Sequence, residues 1–170
     1  MTQASFIKII DPIRDKMYRL ALRLLISREA AEDAVQEVII KLWGRKEKIK
    51  EYNSIEAFAM TVTKNYCLDQ LKLKQNQNLR IVHSNYEDGR SLQNQVEVQN
   101  DLEILARILE KLPEQQKILV QLREVEQYDY NEIAEMTSMN ETAIRVALSR
   151  ARKKIREEML KEHRYGIKSN

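Results

Sequence analysis

Residues that turn or break a chain are scarce in this sequence, which has three glycines and two prolines among 170 positions. Sandwiches and barrels built of strands reverse direction often and lean on such residues, so an all-β fold is excluded. Cys67 is the only cysteine; it has no intrachain disulfide partner, which suits a reducing compartment. The two histidines, His83 and His163, lie in polar segments, and no Cys or His pair has the spacing of a metal site. A glycine-rich phosphate loop is missing as well. No apolar run approaches the ~18–20 residues that a membrane span needs. The start, MTQASFIKIID, lacks a charged stretch followed by an apolar one, so export is not expected and the reading is a cytoplasmic protein. The net charge is only +3, too small to select a partner by itself.

What remains is rich in Leu, Ile, Ala, Glu, Lys, Arg and Gln, the residues that favour helix. The fold class expected is all-α, with two small helical domains joined by a flexible linker. In the first block, 1–74, Ile13, Met17, Leu20 and Leu24 recur at helical spacing and form an apolar stripe. Ser27 reads as the N-cap of a second helix reaching about Trp43, with Gly44 as its stop. After the basic loop GRKEKIKEYN, Ser54 caps a third helix extending to about Lys74. The stretch 75–100 is rich in Asn, Gln and Ser and shows no sustained period. It reads as a flexible linker, since a loop of that length is unusual inside a compact domain.

The second block, 101–170, begins with the helix DLEILARILEKL, stopped by Pro113, which opens the next helix, PEQQKILVQLREVE. Asp129 and Glu132 form an acidic capping box for a brief helix through Met136. Asn140 then caps a long final helix. A short helix, a tight turn and a longer basic helix make a helix-turn-helix candidate. Many such turns hold glycine, whereas this one offers Ser138.

On the final helix Ile144, Leu148, Ala151, Ile155 and Met159 form one apolar seam, and Thr142, Val146, Ser149 and Lys153 lie opposite. From Arg145 to Arg156 there are six Lys or Arg and no acid. Such a run is often no more than a solvated face, but an outward Val146 among polar neighbours favours DNA. In that reading Arg145 donates twice to guanine, Thr142 and Ser149 bond base edges, and Val146 meets a thymine methyl. Arg150, Arg152, Lys153, Lys154 and Arg156 hold phosphates, which adds affinity without sequence choice.

The first block offers two further surfaces. Along its second helix Glu29, Asp33, Gln36, Glu37 and Lys41 oppose a broad apolar arc, with Ile40 among them. Acids four apart repel, and a stripe that accepts this cost beside an apolar residue resembles a docking face for protein. The third helix keeps a narrow polar stripe of Thr61, Asn65, Asp69 and Lys72, which reads equally as a cleft or as a solvated surface. The loop before it carries Arg45, Lys46, Lys48, Lys50 and Tyr52. Cations beside a ring suit unstacked single-stranded DNA.

Together these strings resemble the sigma-70 family of bacterial RNA polymerase sigma factors. REAAEDAVQEVIIKLW resembles the family's second region, including the D-x-x-Q-E string at Asp33, Gln36 and Glu37. TKNYCLDQLK resembles its R-N-x-x-x-D-x-x-R segment at Asn65 and Asp69, with Lys64 and Lys72 in place of Arg. LPEQQKILVQLREVEQYDYNEIAEMTSMNETAIRVALSRARKKIRE resembles the fourth region. Two regions with no third domain is the layout of the extracytoplasmic-function group. The resemblance implies that Asp33, Gln36, Glu37 and Ile40 dock on the β′ clamp helices of core RNA polymerase. It implies that Lys48, Lys50, Tyr52, Thr61, Asn65, Asp69 and Lys72 read and open the −10 element, with Asn65 and Asp69 near a flipped base. The final helix, through Thr142, Arg145, Val146, Ser149, Arg150, Arg152 and Lys153, would read the −35 element while its block touches the β flap. An anti-sigma factor is an expected partner; no cofactor, metal or small-molecule substrate is. Ile39 stands where the family commonly has an aromatic and Ala59 where it often has Trp, while Ala143 and Val146 replace commoner polar residues.

Rival readings fit less of the chain. An enzyme would need a nucleophile or base near the paired carboxylates Asp33 and Glu37, and none is apparent. A helix-turn-helix regulator acting as a dimer on paired half-sites has no need of the acidic stripe. A plain helical adaptor leaves the basic run unexplained.

Overall fold

The computed structural model describes residues 1–81 and 97–167, and every regular element among them is helical. In order these are α1 (Gln3–Leu25), α2 (Arg28–Gly44), a 3-10 turn (Ile49–Glu51), α3 (Ile55–Ile81), α4 (Glu97–Glu110), α5 (Glu114–Val120) with a π-helical turn (Gln121–Val125), α6 (Tyr130–Thr137) and α7 (Glu141–Ile167). The first three helices form one bundle and the last four another. The N-caps expected from the sequence are in place, whereas Gly44, the expected stop of the second helix, is its last helical residue and Arg45 follows as the C-cap. Ser27 accepts from the Ala30 N–H and Ser54 from the Ala57 N–H, at 3.2 and 3.1 Å. Asp129 and Glu132 close their capping box, and Asn140 accepts from the Ala143 N–H at 2.8 Å.

In the first bundle Met17, Leu20, Ala21, Ala31, Ala34, Val38 and Ala59 are fully buried. The alanines let the three backbones approach closely where larger groups would hold them apart. Phe6 meets Trp43 edge to face, ring centres 5.2 Å apart. Pro12 sits inside α1 on its exposed side, where water can satisfy the carbonyl that loses its partner. α3 continues past the expected stop at Lys74, through QNQNLRI to Ile81. No glycine or proline interrupts that stretch, and adding residues to a formed helix costs far less than nucleating one. At the other end of the expected linker, 97–100 already belong to α4, again without a glycine or proline to stop them, and 82–96 lie outside the described residues.

In the second bundle Leu119, Leu122, Ile133, Ile144, Leu148 and Ala151 make the core, and Ala134 and Ile155 pack against it half-buried. Ser138, between α6 and α7, has φ 57°, the left-handed conformation that glycine would adopt at lower cost.

The two bundles meet. α1 lies against α5 and α3 against α6, and the apolar core continues across the junction. A polar seam lines its edge. Arg19 forks onto Glu126, Nε to Oε1 and Nη2 to Oε2, both 2.8 Å. Gln121 links that carboxylate, at 3.0 Å, to the Arg23 guanidinium, at 3.2 Å. Lys16 donates to Glu56 at 2.6 Å and sits over the Tyr128 ring, while the Tyr128 hydroxyl donates to the same Glu56 oxygen. The π-helical turn matters here. Its extra residue gives the Glu126 N–H to Gln121 O bond, and the turn holds both Gln121 and Glu126 toward α1.

Candidate nucleic-acid and polymerase interfaces

Where the C-terminal end of α2 faces the middle of α3, the first bundle opens into a cleft of about 580 Å³. Its walls are Lys41, Leu42, Gly44, Arg45, Phe58, Val62, Asn65, Tyr66 and Asp69. Asn65 and Asp69, one helical turn apart, are exposed to it; an amide beside a carboxylate presents both donors and acceptors. The Lys41 ammonium lies 4.5 Å from the Tyr66 ring centre. Burial first, and then the charges of Glu37 and Asp33, push the Tyr66 hydroxyl above its ordinary pKa, so the group stays a neutral donor. Gly44 and Arg45 are shared with a second cleft of about 440 Å³, completed by Glu47, Lys48 and Tyr52. Tyr52 stacks on Phe58 at 3.9 Å with 12° between ring planes. The two hollows are thus joined by a stacked aromatic pair flanked by cations.

The other sequence-selected residues of this region are placed differently. The Thr61 hydroxyl donates to the Ala57 carbonyl at 2.7 Å and so turns back on its own helix. Lys72 is exposed further along α3, outside both clefts. The Lys50 side chain lies outside the described residues. Phe58, Tyr66 and Lys41 were not foreseen as site residues. Periodicity assigns the two rings to the apolar side of α3 and Lys41 to the polar side of α2, and only the crossing of the helices brings all three to one hollow. Cys67, beside Tyr66 in sequence, is buried with its thiol pushed up to about 12 by burial, which keeps it unreactive.

Asp33, Gln36, Glu37 and Ile40 form a continuous exposed band on α2. Ile40 is 62% exposed, an apolar side chain left uncovered beside three polar ones. The band turns away from the core of its own bundle, because the opposite face, Ala31, Ala34, Val35 and Val38, is buried against α1 and α3.

On α7 Thr142, Arg145, Val146, Ser149, Arg150, Arg152 and Lys153 are all exposed. Their cations are not equally free. Arg152 donates through Nε to Glu124 at 2.7 Å, and Lys153 is 3.9 Å from Glu157. Arg145 is 3.6 Å from Glu141 and lies over the Tyr130 ring at 3.8 Å. Tyr130 carries no periodic signal in the sequence that would mark it as part of this face.

Comparison with known proteins agrees with this layout. The model of sigma-70 region 2 matches residues 9–77, and that of sigma-70 region 4 matches residues 102–155. RNA polymerase sigma factor SigV of Bacillus subtilis (strain 168) is 26% identical over 161 residues, 95% of each chain. Among solved structures, the sigma factor RpoE in complex with the anti-sigma factor NepR, from Bartonella quintana, superimposes with a TM-score of 0.76 at 20% identity. That match covers 92% of this chain and 97% of the other. CnrH, solved with the cytosolic domain of CnrY, gives 0.66 at 16% identity over 92% of this chain and 88% of its own. With regions 2 and 4 in one chain and only the stretch 78–101 between them, the chain belongs to the sigma-70 family of transcription-initiation factors, in its extracytoplasmic-function group.

Proposed function

We propose that the chain works through three surfaces: the Asp33, Gln36, Glu37 and Ile40 band grips core RNA polymerase, the twin cleft captures the −10 element, and the exposed face of α7 reads −35. The units are assigned as region 2 over 1–74, a linker over 75–100, and region 4 over 101–170. The observation that carries this reading is the cleft, open to solvent and walled by rings, with Asn65 and Asp69 inside it and a stacked Tyr52 and Phe58 pair at its edge. A base turned out of a duplex needs both an aromatic wall and polar groups for its edge. Lys48, on the second cleft, holds the DNA backbone there, and Lys50 is proposed for the same task from the sequence. The chain performs no catalysis of its own, takes no small-molecule substrate and acts in the cytoplasm, and its block around α7 also touches the polymerase flap. An anti-sigma protein holds it inactive, a reading supported by RpoE and CnrH having been solved with NepR and CnrY.

The test is initiation by core polymerase, with and without the chain, on a promoter library, alongside opening measured by 2-aminopurine fluorescence at −10. Asn65→Ala with Asp69→Ala should leave polymerase binding unchanged and suppress opening. Unchanged opening would remove the cleft from the reading, and initiation that ignores the chain would remove the reading itself.

A further inference from the structure

Arg145 is a long side chain on an exposed helix face, and a residue of that kind ordinarily samples many rotamers. Here its guanidinium lies over the Tyr130 ring, 3.8 Å from the ring centre, although the side chain is 57% exposed. Tyr130 is the first residue of α6, directly after the Asp129 N-cap and inside the capping box that Asp129 forms with Glu132, so its backbone is held at a fixed helix start. The ring is half-buried and restrained elsewhere too. The Arg123 guanidinium is 4.6 Å from its centre, and Arg123 is itself tied to the Tyr128 carbonyl at 2.7 Å. Arg152, itself bonded to Glu124, has its charged form favoured by that carboxylate and, less, by the neighbouring Tyr130.

We propose that Tyr130 is a positioning residue for −35 recognition: its ring holds the Arg145 guanidinium in the orientation that reads a base, without touching DNA itself. This rests on the reading of Arg145 as a base contact. A guanidinium that lies over a ring meets it through its delocalised carbon centre, and its N–H fork can still reach the two acceptors of a guanine. Glu141, four residues earlier on α7, holds the same group at 3.6 Å from another side. Arg145 is thus ordered before DNA arrives, and the cost of ordering it is not charged against the correct base.

The experiment uses holoenzyme reconstituted from core polymerase and the full chain, initiating on templates randomised across −35. Arg145→Ala should erase preference at one base pair. Tyr130→Leu should flatten preference at that same base pair by roughly two- to fivefold, the worth of an exposed cation–π contact, and leave preference at −10 unchanged. Tyr130→Phe keeps the ring and should restore selectivity, and Tyr130→Leu with Arg145→Ala should be no worse than Arg145→Ala alone. Thermal melting checks the fold, and Tyr130→Gln repeats the measurement should the leucine variant unfold. Tyr130 variants that weaken every template equally, or leave the profile intact while Arg145→Ala alters it, overturn the proposal. If Arg145→Ala alters no position, Arg145 does not read −35, and the role of Tyr130 falls with it.

Discussion

Replacing Arg19 by alanine tests what holds the two bundles together. Glu126 is the residue at stake, because its side chain is 2% exposed while that of Arg19 is 45% exposed. Removal of Arg19 strands a buried carboxylate with Gln121 as its remaining partner across the turn, at 3.0 Å. A fully buried pair broken this way costs about 3–5 kcal/mol. Water reaches the Arg19 side, so the lower figure for a hydrogen bond to a charged group applies, about 1.5–3 kcal/mol. That corresponds to roughly ten- to a hundredfold in the equilibrium between docked and parted bundles. Parting has to occur in function. Elements centred at −10 and −35 lie about 25 base pairs apart, or about 85 Å at ~3.4 Å per pair, whereas a compact chain of this length has a radius of gyration of about 15 Å. The assay is energy transfer between dyes on exposed Glu29 and Glu157, one in each bundle. Arg19→Ala should shift the population toward low transfer. Adding Glu126→Gln should recover part of the loss by removing the stranded charge. An unchanged transfer distribution in folded Arg19→Ala would refute the seam as the fastening.

Three further outcomes follow from other features. Burial works against the charge on Glu56, but hydrogen bonds from Lys16 and Tyr128 outweigh it and hold its carboxyl below the ordinary value of 4.5. Its contribution is therefore present at neutral pH, begins to fall below about pH 4.5 and is gone once the pH passes its folded-state value. Denaturation of the wild type and of Glu56→Gln should differ at pH 7 and converge in acid; a gap that is the same at every pH would contradict this. Ser138→Gly removes a side chain from a left-handed position and should stabilise by about 0.5–1 kcal/mol after the extra entropy of glycine, read as a higher urea midpoint. Asp33→Ala with Glu37→Ala should abolish binding to core polymerase in a pull-down while circular dichroism stays unchanged, since both side chains are exposed. Retained binding would dismiss the band as the grip.

Much of the local architecture can be read from single residues. Ser27, Ser54, Asp129 and Asn140 each mark a helix start because a side-chain oxygen three positions before a free N–H satisfies it whatever the tertiary context. The apolar seam of α7 and the exposed band of α2 are likewise visible, since helical period alone sorts inward from outward. The end of α3 is less legible, because Gln75 and Gln77 favour helix while Asn76 and Asn78 favour turns, so the alternating run gives opposed signals.

The candidate sites divide along the same line. Asp33, Glu37 and Arg145 show themselves in sequence because each belongs to one helix face and needs no neighbour to be recognised. Phe58, Tyr66 and Lys41 do not, because a cleft exists only where two helices cross, and a ring on an apolar face looks the same whether it fills a core or walls a hollow. The seam of Arg19, Gln121 and Glu126 is further still from view, with Glu126 lying 107 positions after Arg19 and a π-helical turn needed to aim the acceptors. Sequence by itself thus determined the helices, their buried sides and the family; tertiary structure decided the cleft, the Tyr130 platform and the docking of the bundles. The reason is physical: a periodic pattern records what one element buries, whereas side chains from distant elements meet only after the elements have packed.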